Sequence, residues 1–491
     1  MNMTKSFLSL LLGTAMLAGC NLAPKYERPG GAVPATLPQG GIYPTAPTDA
    51  VDVSRIGWRD FFLDQRLQQV IETGLANNRD LRIAAGNVLQ ARAQYRVQRA
   101  DLLPTVSANG TATYTNNIFG AGQAAGGGVG ANPGASSSQD IEIYQASVGL
   151  SAFELDLFGR VRNLSRAAQE QYFATEEAQR SARISLIAEI ANAWLTMASD
   201  QEQLRLSRET LGAFEETLRL TREQFRVGIG SELEVRQAET NYQGALSDIA
   251  ALETTIARDQ NALNLLAGTT VPQEQLPTGL GAQPASRDAL PSGISSEVLL
   301  RRPDVLQAEH QLIAENANIG AARAAFFPTI SLTATLGTLS TALSGLFKDG
   351  TYNYNVAPSG ALPLFDFGRR KGNLDYAKAS QQVAVATYER AIQTAFREVA
   401  DALAQRGRIG DQIRAQSTRA EAARVAARLS DARFRAGIDS FLTTLDAQRT
   451  AYAAEQQLVT TRLTQAGNLV ELYRSLGGGL EERTTVTPSP Q

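Results

Sequence analysis

The 491-residue sequence contains one cysteine and one histidine, and this scarcity limits its chemistry. Cys20 cannot form a disulfide within one chain, and a thiolate nucleophile elsewhere is excluded. His310 has no second histidine or free cysteine beside which to bind a metal ion. A general base at His310 is possible, but we interpret it as a surface polar residue. We therefore expect no enzyme, no metal and no cofactor.

Long apolar runs and excess charge are also missing. After the first 19 residues no apolar run reaches ~18 residues, which excludes a transmembrane helix on sequence grounds. The formal net charge is −3, and removal of a leader that carries only Lys5 makes it −4. So small a charge on so long a chain argues against a nucleic-acid partner. The glycine-rich runs lack the strand, lysine and hydroxyl context of a phosphate-binding loop.

The start of the chain has the composition of a processing signal. Lys5 precedes a short apolar stretch, Phe7 to Leu17, which is shorter than the ~20 residues that a spanning helix needs. It ends in Leu17-Ala18-Gly19-Cys20, which resembles a bacterial lipobox. A chance cysteine after an ordinary signal is the alternative. We predict that residues 1–19 are removed and that Cys20 carries acyl chains that anchor the mature protein to a lipid bilayer.

Proline is absent from two long stretches, between Pro133 and Pro272 and between Pro363 and Pro488. Proline costs ~3 kcal/mol inside a helix, so these gaps permit very long helices. The sequence predicts helices over 160–226 and 369–435, each ~100 Å long at 1.5 Å per residue. In the first helix, apolar residues recur every seven positions, the period of supercoiled helices. They are Ile190, Met197, Leu204, Leu211, Leu218 and Phe225.

The chain repeats itself at an offset of 209 residues. Residues 225–231 read FRVGIGS and residues 434–440 read FRAGIDS, and Phe158-Gly159-Arg160 recurs as Phe367-Gly368-Arg369. We infer a tandem duplication in which each copy contains a long helix, a glycine turn and a returning helix, over 231–267 and 440–476. A shorter helix begins each copy, over 80–101 and 304–323. We expect it to stack end to end with the returning helix.

Between the short and long helices the apolar pattern has period two, which predicts strands. Pro104-Thr105-Val106-Ser107 is echoed 224 positions later by Pro328-Thr329-Ile330-Ser331. We predict β-hairpins over 104–156 and 328–364, with an exposed loop, Gly120 to Ser138, in the first. A soluble sheet would show the same alternation. Four strands cannot close a membrane barrel, so either the strands lie outside the bilayer or several chains pool them.

These features divide the chain into six segments. They are a lipoprotein signal peptide (1–19), an N-terminal anchor arm and equatorial segment (20–78), repeat 1 with its helix hairpin at 160–267 (79–268), an equatorial linker (269–302), repeat 2 with its helix hairpin at 369–476 (303–477) and a C-terminal tail (478–491). The proline-rich part of the arm, 21–57, is expected to be extended and not a core element.

Several motifs together resemble the TolC-like outer-membrane factor family, in particular its lipidated OprM/NodT-type efflux channels. They are Leu17-Ala18-Gly19-Cys20, Trp58 with Phe61-Phe62, Asn78-Arg79-Asp80-Leu81, Arg302-Pro303-Asp304, Phe327-Pro328-Thr329, Phe365-Asp366-Phe367-Gly368-Arg369 and the two FR-x-GI-x-S turns. The resemblance covers residues 17–477 and rests on the order and spacing of the motifs, since no single motif is specific.

The resemblance implies an α+β membrane protein. Four strands per chain would form a trimeric 12-stranded β-barrel, continuous with a long periplasmic α-helical barrel. It implies an outer-membrane exit channel of a tripartite, RND-type multidrug efflux pump. The implied partners are two further copies of the chain, a periplasmic adaptor (membrane fusion) protein, an inner-membrane RND transporter and outer-membrane lipid.

Both glycine turns have a simple structural explanation: Gly228 and Gly437 end helices with a left-handed backbone, and Ser231 and Ser440 begin the return helices. This explanation does not account for the recurring arginine and isoleucine. The resemblance implies that the turns dock on the adaptor. The predicted docking residues are Arg226, Val227, Gly228, Ile229 and Ser231 in the first turn, and Arg435, Ala436, Gly437, Ile438 and Ser440 in the second.

The second copy differs from the first just after its turn. Asp439, Leu442, Asp446 and Arg449 occupy the positions of Gly230, Leu233, Gln237 and Thr240. Leu442 and Asp446 share a helix face, and Asp446 and Arg449 are spaced to pair. An ordinary intrahelical ion pair is one interpretation. The resemblance implies the other, a periplasmic gate formed by Leu442, Asp446, Arg449 and Asp439 in a ring of three chains.

Two other functions remain open from the sequence. One is the exit duct of a type I protein secretion system, which would share the same architecture. The other is a lipid-anchored coiled-coil scaffold without a pore. The lipobox and the OprM-like motifs favour drug efflux over protein secretion, and only conduction would exclude the scaffold.

Overall fold

The computed structural model describes residues 21–44, 56–116, 140–281, 285–287 and 295–484. The predicted signal peptide, Cys20, the loop Gly120 to Ser138 and most of the C-terminal tail lie outside these residues. The chain separates into two compact units. The first contains residues 1–28, 89–173 and 309–386, and the second contains residues 29–88, 174–308 and 387–491.

The described residues contain eight α-helices, which are mostly long. They are α1 (Trp58–Phe61), α2 (Gln65–Asn77), α3 (Arg79–Ala100), α4 (Arg160–Arg226), α5 (Glu232–Ala267), α6 (Pro303–Ala324), α7 (Arg369–Arg435) and α8 (Phe441–Ser475). The predicted bounds of α4 and α7 are confirmed, and each helix has 67 residues. The predicted return helices are confirmed to within a residue or two, because Ser231 and Ser440 are caps that precede them. Among these described helices, none contains a stretch both long and apolar enough to cross a bilayer.

The first unit contains one antiparallel sheet. Its strands are β1 (Val106–Thr115), β2 (Ile141–Glu154), β3 (Thr329–Ser340) and β4 (Tyr352–Ala361), and each pairs with the next in chain order. The two predicted hairpins are therefore present, and β2 pairs with β3 to join them. A bulge interrupts that pairing between Leu150 and Phe153. The outer edges of the sheet are β1 and β4.

The N-terminal arm in the first unit runs along α6. Arg323 donates to the carbonyl of Leu22 over 3.1 Å, and the Asn316 amide donates to the carbonyl of Pro24 over 2.7 Å. Arg28 binds the buried carboxylate of Glu309 with two hydrogen bonds of 2.8 and 2.9 Å. The arm therefore runs antiparallel to α6, with Leu22 near the C-terminal end of that helix, beyond which β3 begins.

The interpretation of His310 as a surface polar residue is wrong in one respect. Its imidazole is partly buried, and its Nδ1 atom lies 2.7 Å from the carboxylate of Glu170 on α4. The ring also lies against Phe173, with 5.4 Å between ring centroids. His310 therefore helps to pack α6 against α4, which the sequence spacing did not reveal.

The second unit has a conventional apolar core around α1, α2 and the middle of α4. Phe61 stacks on Tyr473 of α8 with 4.0 Å between ring centroids, and Tyr473 donates to the carbonyl of Ile56. The linker contacts the helices, since Trp194 of α4 donates to the carbonyl of Gln275 over 3.1 Å. The arm contradicts the expectation that it lies outside the core, because Leu37 is buried.

The heptad seam on α4 is only partly a buried seam. Ile190, Met197, Leu204 and Leu218 are buried, but Leu211 is half-buried. Phe225 is exposed. The seam thus loses its cover towards the end of the helix, where fewer neighbouring elements remain to pack against it.

The predicted end-to-end stacking of helices is present in both halves of the second unit. Asn78, which precedes α3, donates from its side chain to the carbonyl of Leu266 near the end of α5 over 2.9 Å. Arg302, which precedes α6, donates to the carbonyl of Ser475 at the end of α8 over 2.6 Å. In each case a buried polar side chain satisfies a carbonyl that the helix end leaves without an intrahelical donor.

Candidate functional site

The two long helices end in the same backbone motif. Gly228 and Gly437 adopt left-handed conformations, with φ of 82° and 73°. The amide of each glycine donates to the carbonyl three residues earlier. The amide of the isoleucine that follows donates to the carbonyl five residues earlier. This pair of hydrogen bonds is the Schellman helix end, which requires a residue that tolerates positive φ.

The isoleucine after each glycine is unusually exposed for this motif. In a Schellman end, the residue after the glycine commonly packs against an apolar residue in the last helical turn. Here the residue five positions earlier is Gln224 or Arg433, so Ile229 is 78% exposed and Ile438 is 63% exposed. Val227 is exposed too. The turns thus present apolar side chains that the chain itself leaves uncovered.

The arginines of the turns are engaged with acids of their own helices. Arg226 donates to Glu223 over 2.8 Å, and Arg435 donates to Asp431 over 2.8 Å. All four groups are substantially exposed or half-exposed, and such surface pairs contribute at most about 1 kcal/mol. The pairs therefore orient the arginine side chains beside the exposed isoleucines but do not lock them in place.

The return helices begin differently after the two turns. Ser231 forms a reciprocal capping box with Glu234, in which each side chain binds the other residue's backbone amide. Ser440 caps the amide of Thr443 alone. Arg433 instead clasps Asp439 across the second turn with hydrogen bonds of 2.8 and 2.9 Å. This hydrogen-bonded guanidinium lowers the pKa of the Asp439 carboxyl.

The predicted gate residues on α8 lie together on its surface. Leu442 is 62% exposed, and Asp446 and Arg449 are exposed on the following turns. The predicted pair between Asp446 and Arg449 is not formed. Within the described part of the chain, neither side chain makes a hydrogen bond or an ion pair. Asp439 does not join them, because its carboxylate is held by Arg433.

Asp446 and Arg449 line an open groove of about 490 Å³ between the two helical hairpins. The floor of this groove is polar. The Tyr452 hydroxyl donates to Asp248 over 3.0 Å and lies 2.7 Å from the hydroxyl of Ser207. Burial of the phenol, with the hydrogen bond to Asp248, raises the pKa of Tyr452 to about 12. The phenol therefore stays protonated and joins α8 to α4 and α5 at neutral pH.

Below the turns the two hairpins share an apolar cluster. Its buried members come from α4, α5 and α8. They are Leu218, Val235, Ala238, Phe441 and Leu445. Because these side chains join both hairpins, a displacement of one hairpin is transmitted to the other close to the turns.

Sequence reasoning missed a pair of acids inside the first hairpin. Asp200 on α4 and Asp259 on α5 lie together, and one carboxyl oxygen of Asp259 is buried without a hydrogen-bond partner in the described residues. Burial, with the neighbouring Asp259 carboxyl, raises the pKa of Asp200 to about 6. Burial also raises the pKa of Asp259. The signal was available in the hairpin spacing, which places both acids at similar distances from the Gly228 turn.

Comparison with known sequences identifies relatives along nearly the whole chain. The family model for outer membrane efflux proteins matches residues 70–269 and 294–478. The chain is 45% identical over 489 residues to the toluene efflux pump outer membrane protein TtgC of Pseudomonas putida, covering 98% of this chain and 97% of the relative. It is 38% identical over 468 residues to the cation efflux system protein CusC of Escherichia coli, covering 94% and 97%.

Solved structures give the same result. A membrane protein from Pseudomonas aeruginosa superposes with a TM-score of 0.85 and 37% identity, covering 94% of this chain and 98% of that one. The open state of the MtrE outer membrane channel of Neisseria gonorrhoeae superposes with a TM-score of 0.83 and 37% identity, covering 95% and 100%.

Proposed function

Because this chain belongs to the outer membrane efflux protein family, we propose that it is the outer-membrane exit channel of a tripartite efflux pump. It conducts substrates passively from an adaptor and an inner-membrane transporter to the cell exterior. The relatives are named for the export of toluene, antibiotics and cations, so we assign small molecules as cargo. The alternative cargo is protein, as in a type I secretion duct.

The observation that carries the proposal is a sheet whose two outer strands have a free edge among the described residues, on a chain that also carries two long helical hairpins. An open sheet edge in a bilayer leaves backbone groups without partners, at several kcal/mol each, and membrane barrels need at least eight strands. Three copies would supply twelve strands and remove every edge. The same three copies would bring six helical hairpins together as a tube.

A tandem duplication explains why this architecture has two similar halves. Helices α4 and α7 each have 67 residues and begin 209 positions apart, and α3 and α6 each have 22 residues. Asn78 and Arg302 serve corresponding helix ends. We propose that six quasi-equivalent hairpins, two from each copy, therefore form the helical tube.

Conduction tests this function directly. Purified protein in planar bilayers should give discrete conductance steps, and a deletion strain should regain resistance to small toxic compounds when the gene is restored. Absence of conductance from well-folded protein would favour the poreless scaffold. Restored secretion of a protein without restored resistance would favour the type I alternative.

We propose that the two turns dock on the adaptor. The exposed Val227, Ile229 and Ile438 support this role, since apolar side chains clustered at a surface and flanked by arginines suit a protein partner. Gly437→Val or Gly228→Val should distort the turn, because a β-branched residue resists positive φ. We expect resistance to fall while trimers persist in detergent. Normal resistance in cells that carry Gly437→Val would remove that turn from the docking surface.

We propose that Leu442 and Asp446 close the periplasmic entrance, and that Arg449 compensates the charge of the three Asp446 carboxylates. The support is that Asp446 and Arg449 lie exposed on one face without partners in the described part of their own chain. Asp439 then has a different role, as a brace of the turn held by Arg433.

Leu442→Ala combined with Asp446→Ala should widen the resting entrance, because it removes both the apolar plug and the polar ring. Gln237 occupies the position of Asp446 in the first hairpin, so Leu233→Ala with Gln237→Ala is a matched control. We expect higher single-channel conductance and entry of large antibiotics such as vancomycin in the first variant alone. Equal conductance in both variants would place the constriction elsewhere.

We propose that Cys20 is acylated. The arm supports this, because it runs antiparallel to α6, which places Leu22 beside the end of α6 from which the chain continues into β3. Cys20→Ser should abolish incorporation of a labelled fatty acid. Label retained on that variant would contradict the anchor, whereas the closed trimer itself should still insert.

A further inference from the structure

Where β2 and β3 meet the helices, two contacts hold the strand ends together, and we call this pair of contacts the joint. Phe158, which follows β2, stacks on Phe327, which precedes β3, with 4.7 Å between ring centroids and 19° between ring planes. Just above them, the amide of Leu155 donates to the carbonyl of Ile330 over 2.8 Å. A neighbouring strand is therefore held at this point by one aromatic stack and one backbone hydrogen bond.

The counterparts of these residues lie at the two outer edges of the sheet, where the same joint is missing. Phe367 is 209 positions after Phe158, follows β4 and is fully exposed. Leu103 is 224 positions before Phe327, precedes β1 and is 72% exposed. Phe367 also has a φ of 54°, a strained conformation for a bulky residue. The chain thus holds an aromatic side chain outward in a costly conformation with nothing in the described residues to cover it.

The strand registers allow the missing joint to be specified. Val106 pairs with Leu150 in the first hairpin, and Ile330 pairs with Gly360 in the second. Gly360 is therefore the structural counterpart of Leu150, 210 positions away, because β2 contains one extra residue at its bulge. By the same reasoning Gly110 is the counterpart of Ala334.

Replacing each residue of the β2–β3 pairing by its counterpart in the other repeat gives a pairing of β4 with β1, and all of the replaced contacts agree on one register. The pair Leu150 and Ala334 becomes Gly360 and Gly110. The hydrogen bond from Leu155 to Ile330 becomes one from Leu364 to Val106. The stack of Phe158 on Phe327 becomes Phe367 on Leu103. Each step along β4 matches an equal and opposite step along β1, as an antiparallel pair requires.

We infer that β4 of one copy pairs with β1 of a second copy in this register, with Phe367 seated on the second copy's Leu103. The inference rests on the closed trimeric sheet proposed above, which requires the edges to meet but specifies neither a register nor a side-chain contact. The occupant is a second copy because a single chain cannot bring its own edges together. Three strand spacings separate β1 from β4, about 14 Å.

The surroundings of Leu103 suit this contact. It lines an open cavity of about 260 Å³ whose wall includes Phe153, Glu154 and Arg160. Glu154 and Arg160 are paired with each other, so they add no unpaired charge next to an incoming ring.

A disulfide between copies tests the register. Gly110→Cys with Gly360→Cys places one thiol on each edge, and a side chain at either glycine meets open space. Within one chain these positions are too far apart for a disulfide, which needs Cα atoms within about 7 Å. We expect oxidation to convert detergent-solubilised trimers into covalent dimers and trimers on non-reducing gels. The single-cysteine variants control for Cys20.

The matched control shifts the register by one residue. Gly110→Cys with Ser359→Cys points the two thiols to opposite faces of the sheet and should give no covalent product. Equal crosslinking of both pairs, or crosslinking of the control alone, would overturn the proposed register. Intact trimers that conduct but do not crosslink at Gly110 and Gly360 would overturn the inference and leave the channel function standing. Monomers without conductance would overturn both.

The side-chain contact has its own measurement, which does not depend on cysteine chemistry. A benzoylphenylalanine at position 367 preserves an aromatic ring at an exposed site. Irradiation of trimers assembled from mixed unlabelled and ¹⁵N-labelled chains should join position 367 to a peptide containing Leu103 of the other isotope. A crosslink to the same chain, or to a peptide from another region, would refute the contact.

Discussion

The two helical hairpins of this chain have the same length and the same turn, but they use polar side chains differently. The first hairpin holds two partly buried carboxyl groups side by side, Asp200 on α4 and Asp259 on α5. The second has Ile409 and Asn468 at the corresponding positions, and the Asn468 amide is hydrogen-bonded to the carbonyl of Ala402 and to Gln405. The second hairpin therefore has neutral side chains where the first has two acids, and the Asn468 amide nitrogen is hydrogen-bonded although its side-chain oxygen has no partner in the described residues.

At the helix ends it is the second hairpin that uses a charged side chain and the first that uses a neutral one. In the first hairpin the neutral amide of Asn78 donates to the carbonyl of Leu266 near the end of the return helix. In the second, the buried guanidinium of Arg302 donates to the carbonyl of Ser475. Arg302 also binds Asp304 and Glu398. Burial alone would lower the pKa of Arg302, but these two carboxylates outweigh it and raise that pKa. The same backbone requirement is thus met once by a hydrogen bond and once by an ion network.

We expect the largest change in the free energy of unfolding from substitutions of these two helix-end residues. Arg302→Met should cost about 2–3 kcal/mol, because it leaves the half-buried carboxylates of Asp304 and Glu398 without this partner and the carbonyl of Ser475 without its donor. Asn78→Ala should cost about 1–2 kcal/mol, since it removes a cap of α3 and one bond to a buried carbonyl. Thermal unfolding followed by circular dichroism would compare the two. Equal losses would mean that the ion network adds nothing to the hydrogen bond.

The next largest change in the free energy of unfolding is expected from the pair Asp200 and Asp259, and its size should depend on pH. The raised pKa of Asp200 means that the folded chain binds more protons than the unfolded chain between about pH 3.8 and 6. The contribution of this group to stability is therefore full below that window and is lost as pH rises through 6. Asp200→Asn should raise the free energy of unfolding at pH 7.5 by about 1–2 kcal/mol, a value discounted for partial exposure.

This gain should disappear near pH 4, where Asp200 of the wild type is protonated. Unfolding measured at both pH values would show it, and a gain of equal size at pH 4 would refute the explanation. The mirror substitution in the second hairpin, Asn468→Asp, should destabilise the chain at pH 7.5, because it replaces an amide group that donates two hydrogen bonds with a buried carboxylate that cannot donate them.

The extent to which the sequence predicted these hairpins follows from local physics. The bounds of α4 and α7 are encoded locally, because proline is absent inside them and a glycine with positive φ ends each one. The alternation of apolar and polar residues, which is also a local pattern, predicted the strands of the sheet. The pairing of β2 with β3, however, joins residues almost 200 positions apart, and hairpin patterns alone did not reveal it.

Side-chain partners were harder to predict than elements. Asp439 was assigned to the gate, but in the structure it pairs with Arg433, a contact that depends on how the turn folds back. The partnership of Asp200 with Asp259 depends on the relative rotation of two helices, which a 209-residue offset does not specify. Leu37 is buried although its proline-rich segment has no periodicity, because an extended chain can be covered by helices from elsewhere.

The smallest predicted effect is the difference in stability cost between removing the N-cap serine of α5 and removing that of α8. Ser231→Ala removes the hydroxyl that accepts from the Glu234 amide, leaves the backbone amide that binds the Glu234 carboxylate, and should cost about 1 kcal/mol. Ser440→Ala removes the acceptor of the Thr443 amide and a hydrogen bond with the exposed Thr443 hydroxyl, but the clasp between Arg433 and Asp439 should keep the turn in place, so the loss should be smaller. Hydrogen exchange of the amides of Glu234 and Thr443 would measure each end separately. If the clasp is what holds the second turn, adding Arg433→Ala to Ser440→Ala should speed exchange at Thr443 by more than the sum of the two separate effects. Additive or smaller effects would mean that the glycine backbone alone holds both turns, and that the two hairpins end by one mechanism.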